Sequence, residues 1–173
     1  MSLLIVRHAH AGSRSAWSGD DRDRPLSEKG RAQALALVGV LARFGTTRLL
    51  SSPYVRCMET LGPAATALGL PVEPVGWLTE GAGPEAVGRL ADGLPEPDGR
   101  PGPGGGADGD AEAIGETWAL CTHGDVAIDC FAAFGTRADG IRPTLQKGAL
   151  WVLEEVGGTL TVTDYLHPLV VKD

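Results

Sequence analysis

A neutral imidazole can attack phosphorus in line, and a guanidinium can hold the oxygens of the group under attack. The chain places both together at Arg7-His8-Ala9, directly behind the apolar run Leu3-Leu4-Ile5-Val6. Two later segments repeat the arrangement. Ser51-Ser52-Pro53-Tyr54-Val55-Arg56-Cys57 follows Leu49-Leu50, and Cys121-Thr122-His123-Gly124-Asp125 follows Trp118-Ala119-Leu120. Three apolar, strand-like runs thus end on a cation or an imidazole. In open α/β sheets ligands bind at the carboxyl ends of the strands. Two arginines and two histidines gathered there would form a pocket for a tetrahedral oxyanion.

Each side chain then has an expected role. His8 is the nucleophile. Arg7 and Arg56 clamp the oxyanion with planar, paired donors that stay charged at any working pH. His123 is a further donor to the transferring group. Glu80, in Trp77-Leu78-Thr79-Glu80-Gly81, follows a strand-like segment and precedes a Gly-rich turn. It reads either as a general acid, kept protonated by desolvation beside the phosphate, or as a solvated turn carboxylate. His10 reads as a pocket-wall or surface residue, and His167 as structural or exposed. His8 and His10 have the spacing of a metal-binding pair, but no third ligand accompanies them, so the reading needs no metal and no other cofactor.

These residues have to be carried by a sheet. Strands are expected at about 3–7, 47–51, 72–75, 117–122, 149–154 and 159–165. Helices fill several intervals. Ser27 is a plausible N-cap with Glu28 in the first turn, and Ala34, Leu37, Val38, Leu41 and Phe44 follow helical spacing up to Gly45. A second helix spans 54–68, where Pro63 should kink or interrupt it. A third runs from 84 to 91 with Pro84 in its first turn, and a fourth begins near Asp125. Strand and helix alternate, which is the pattern of an α/β domain with a mostly parallel sheet. Val156-Gly157-Gly158 should turn a final hairpin. Residues 92–115, with Gly99-Arg100-Pro101-Gly102-Pro103 followed by three more glycines, should form a mobile surface loop that interrupts one domain.

A chain of 173 residues is long enough for one well-filled core. The net charge of −7 argues against a nucleic-acid or anionic-membrane partner held by bulk electrostatics. It leaves room for a local positive focus around Arg7 and Arg56. No apolar run approaches the roughly 20 residues of a membrane span. The N-terminus shows no signal-peptide pattern, and the three cysteines form no CxxC pair. A cytoplasmic protein with free thiols is expected.

Several segments together resemble the histidine phosphatase superfamily, which also contains the cofactor-dependent phosphoglycerate mutases. They are Leu4-Ile5-Val6-Arg7-His8-Ala9, Arg24-Pro25-Leu26-Ser27-Glu28-Lys29-Gly30, Ser51-Ser52-Pro53 with Arg56 and Thr60, and Thr122-His123-Gly124. The resemblance implies a three-layer α/β/α fold of the phosphoglycerate mutase type and a phosphohistidine intermediate on His8. It also implies a phosphate pocket of Arg7, Arg56 and His123. Ala9 in place of glycine and the lack of a long capping insertion are similar to the short members, the phosphohistidine phosphatases. Arg22-Asp23-Arg24-Pro25-Leu26 and Leu78-Thr79-Glu80 are similar to the phosphatase-like domain that follows a Nudix domain in some bacterial proteins. The expected partner is a phosphorylated small molecule or a phosphohistidine protein. The rival expectation is a non-catalytic phosphate-binding or regulatory module on the same fold.

Overall fold

The computed structural model describes residues 2–94, 116–135, 141 and 144–166. The elements follow the order β1 (Ser2–Arg7), α1 (Glu28–Arg43), β2 (Thr46–Ser51), α2 (Val55–Leu68), β3 (Val72–Pro74), α3 (Gly83–Ala91), β4 (Thr117–Thr122), α4 (Gly124–Phe134), β5 (Leu150–Val156) and β6 (Thr159–Leu166). The six strands form one sheet in the order β3-β2-β4-β1-β5-β6. β1 to β4 are mutually parallel, whereas β5 and β6 add an antiparallel edge.

Side chains on a strand alternate between faces, and here each face meets its own pair of helices. Leu4 and Val6 of β1 pack with Ala119 and Cys121 of β4 against Leu37 and Leu41 of α1 and Leu61 and Ala64 of α2. Leu3 and Ile5, with Trp118 and Leu120, face Ala86 and Leu90 of α3 and Val126, Ala127 and Cys130 of α4. The result is a three-layer α/β/α sandwich. Burial on both faces explains why the central strands read as unbroken apolar runs rather than alternating ones.

The helix ends follow their sequence signals. Ser27 caps α1 by accepting the Gly30 amide at 3.2 Å. Gly30 also lets the helix approach the backbone of His10, since a Cβ there would stand 2.0 Å from the His10 carbonyl oxygen. Gly69 closes α2 in the left-handed region at φ 67°. Pro63 does not interrupt that helix, so of the two expected effects, a kink or a break, the break is not found. It removes one amide donor, while Cys57, Leu61 and Ala64 keep the helix seated in the core. Gly157 and Gly158 turn the β5–β6 hairpin with φ of 60° and 79°. Two successive positive φ values suit the right-handed twist of the flanking strands. Most of the expected loop at 92–115, and His167, lie outside the described residues.

Candidate active site

Parallel pairing brings three strand ends to one edge. Arg7 closes β1 opposite Thr122 of β4, and Ser51 closes β2 opposite Cys121. The chain beyond each strand carries the polar residues. The His8 amide donates to the Thr122 carbonyl at 2.9 Å, fixing the two exits side by side. His123 sits at the N-cap of α4, and Arg56 lies in the first turn of α2. The His8 and His123 rings meet edge to face with centroids 5.4 Å apart. Arg56 Nη2 lies 3.3 Å from His123 Nδ1. Arg7, His8 and Glu80 line one cavity of about 550 Å³ with Asp125, Gly124 and Leu145. The structure therefore brings Arg7, His8, Arg56, Glu80 and His123 to one place.

Gly124 is a spatial requirement of this arrangement. A Cβ at that position would lie 2.8 Å from Arg7 Cζ, so glycine admits the guanidinium over the start of α4. Arg7 Nη1 then donates to the Leu145 carbonyl at 2.8 Å. The Nε atoms of Arg7 and Arg56 are buried without a hydrogen-bond partner among the described residues. Buried donors are ordinarily paired, so these two lack the acceptor such groups usually have. Burial, with Arg7, Arg24 and Arg56 nearby, also draws the Lys147 ammonium below its usual pKa. A positive focus thus exists within an acidic chain.

The protonation of His8 follows from its surroundings. Its Nδ1 is 2.8 Å from the Ala9 carbonyl oxygen, which can only accept. The ring proton is on Nδ1, and Nε2 keeps its lone pair. Burial pushes the His8 pKa down to about 3, against the pull of the Ala9 carbonyl and helped by His123, Arg56 and Arg7. His8 is therefore neutral across the ordinary pH range. Thr60 holds this segment to α2: it accepts the Ala9 amide at 2.9 Å and donates to the Arg56 carbonyl at 2.6 Å.

Two residues of the charge network were not singled out from the sequence. Asp21 accepts from Arg56 through its carbonyl at 2.6 Å and its carboxylate at 3.1 Å. Hydrogen bonding from Arg14, then from Arg24, with the charge of Arg56, holds the Asp21 carboxyl well below the usual range despite its partial burial. Arg14 Nη2 also reaches Glu80 at 2.7 and 2.9 Å. Glu80 in turn lies 3.4 Å from Arg56 Nη2. The desolvation expected around Glu80 is not found, because its side chain is 36% exposed and paired with two guanidiniums. The run Asp20-Asp21-Arg22-Asp23-Arg24 was the available signal, but ion pairing across 35 residues has no local periodicity. His10 turns away, its Nδ1 2.7 Å from Ser27 Oγ. Among the described residues no group of three His, Cys, Asp or Glu side chains is placed to hold a metal ion.

Fold and site together define an α/β protein with two arginines and two histidines gathered at the carboxyl edge of its sheet. The chain belongs to the histidine phosphatase superfamily (branch 1), which matches residues 3–95. It is 38% identical over 170 residues to an 8-oxo-(d)GTP phosphatase of Mycolicibacterium smegmatis, covering 96% of this chain and 48% of that protein. The chain thus spans about half the length of this curated relative. Among solved structures it is similar to the protein histidine phosphatase SixA complexed with tungstate, with a TM-score of 0.71 and 20% identity over 99% of this chain and all of that one. A putative phosphohistidine phosphatase SixA from Agrobacterium tumefaciens gives a TM-score of 0.70 and 20% identity, covering 96% and 98% of the two chains. At that identity the likeness is one of fold.

Proposed function

We propose that the protein is a phosphatase that transfers a phosphoryl group from a phosphomonoester or a phosphohistidine to His8 and then to water. The observation that carries this reading is the state of His8: a neutral imidazole, with Nδ1 tied to the Ala9 carbonyl and Nε2 free beside Arg7 and Arg56. A protein that only binds phosphate has no use for such a lone pair.

In the first step His8 Nε2 attacks phosphorus, an N–P bond forms and the P–O or P–N bond to the leaving group breaks. Arg7 and Arg56 hold the non-bridging oxygens, and His123 donates to the same group. Glu80 lines the cavity and is the proton donor to the leaving group. Its carboxylate begins paired to Arg56, and an arriving phosphate competes for that arginine, freeing Glu80 to pass a proton taken up from solvent to the leaving group. In the second step Glu80 takes a proton from water, the oxygen attacks phosphorus and the N–P bond breaks. The net charge of −7 suits small phosphate esters, nucleotides or a phosphorylated protein side chain rather than a polyanionic chain.

The test is turnover of nitrophenyl phosphate without added metal. His8→Ala is expected to abolish turnover while preserving the fold and vanadate binding. Arg56→Ala is expected to weaken both binding and turnover, since a clamp serves ground and transition states alike. Equal activity of His8→Ala and the parent would sink the covalent mechanism.

A further inference from the structure

The two nitrogens of His123 face different partners. Nδ1 lies 3.3 Å from Arg56 Nη2, and Nε2 lies 2.9 Å from Ser52 Oγ. Arginine only donates, so Nδ1 is an acceptor in the free site, and the neutral ring carries its proton on Nε2. That proton goes to Ser52 Oγ. In this state His123 cannot donate to an oxyanion from the nitrogen nearest Arg56. Donation from Nδ1 requires either a doubly protonated ring or the other neutral tautomer, in which Nε2 needs a donor facing it.

Ser52 can supply one. Its hydroxyl is fully buried and both accepts and donates. The Tyr54 amide approaches the same oxygen at 3.4 Å, a weak contact that leaves the hydroxyl proton free to turn toward Nε2. Cys57 Sγ is the other neighbour of Nε2, at 3.6 Å, and a thiol is a poorer donor. The Nδ1–H form is unfavourable in the free site, because two donors would then face each other at Arg56. An oxyanion between them removes that conflict, accepting from Arg56 and from Nδ1–H together.

We propose that Ser52 is a positioning residue that lets His123 exchange tautomers, its hydroxyl accepting from Nε2–H in the empty site and donating to Nε2 when a phosphoryl group is bound. The proposal rests on the phosphatase reading for its catalytic consequence but not for the exchange itself. The experiment uses ¹⁵N-histidine-labelled protein with and without orthovanadate, the His123 signals being assigned by their loss in His123→Asn. The parent is expected to show Nε2 protonated when free and Nδ1 protonated with vanadate, and Ser52→Ala is expected to lose that reversal. The kcat of Ser52→Ala on nitrophenyl phosphate should fall about tenfold to a hundredfold, short of the roughly 10²–10³-fold cost of deleting an oxyanion donor outright. A merely structural serine would change stability without moving the tautomer. Nε2 still protonated in the vanadate complex of the parent, or an unchanged reversal in Ser52→Ala, overturns the proposal. Absence of turnover by the parent itself would instead remove the phosphatase reading and leave the tautomer result to decide this one.

Discussion

At the scale of single residues, His8 carries a cost that should be visible in stability. Its folded-state pKa of about 3 lies below the unfolded value of about 6.5. Below pH 6.5 the unfolded chain binds a proton that the folded chain refuses, so stability falls as the pH falls. The parent is expected to lose about 2 kcal/mol more than His8→Gln between pH 7 and pH 5. Urea unfolding of both proteins at the two pH values measures the difference. Equal losses would place His8 in a more solvated setting. Glu80 makes a separate test, because a general acid matters in proportion to how poor the leaving group is. Glu80→Gln is expected to cost about 10²–10⁴-fold with an alkyl phosphate and far less with nitrophenyl phosphate. Equal slowing of both would make the carboxylate a binding group, and no slowing would make it a solvated turn residue.

At the scale of elements, the strand ends and helix starts decide where these side chains meet, and much of that was legible in the sequence. The runs before Arg7, Ser51 and Thr122 are apolar because β1, β2 and β4 are covered on both faces, and that burial makes them easy to find. Ser27 and Gly45 marked the ends of α1 for local reasons of capping and backbone conformation. Pro63 leaves α2 unbroken because a missing amide is a local cost, whereas the face holding Leu61 and Ala64 in the core is a tertiary gain. Arg14 and Asp21 were not legible, since their partners Glu80 and Arg56 are distant in sequence. Two glycines of α1 offer a contrast that tests the packing. Gly30→Ala would push a Cβ against the His10 carbonyl, and a loss of about 1–3 kcal/mol is expected. Gly39→Ala meets nothing within 4 Å, and a gain of about 0.5–1 kcal/mol is expected from helix propensity alone. Urea midpoints of the two variants should move in opposite directions.

At the scale of the whole molecule, both helical layers share the same central strands, so neither can keep its core when the sheet is lost. Leu4 and Leu3, on opposite faces of β1, belong to different apolar clusters yet to one strand. We propose accordingly that residues 1–173 form one histidine phosphatase domain. Urea transitions followed by tryptophan fluorescence and by far-ultraviolet circular dichroism are expected to coincide, because Trp118 and Trp151 report on one layer and helicity on both. The same sheet brings the ends of β1 and β4 together, so its integrity and its chemistry are one property. The most direct measurement of that chemistry is a rapid alkaline quench during turnover of a phosphate ester, followed by peptide mass spectrometry. The expected result is one phosphoryl group on His8, formed in a burst and absent from His8→Ala. Turnover with no phosphorylated His8 at any quench time, or with the phosphoryl group on another residue, would contradict the account.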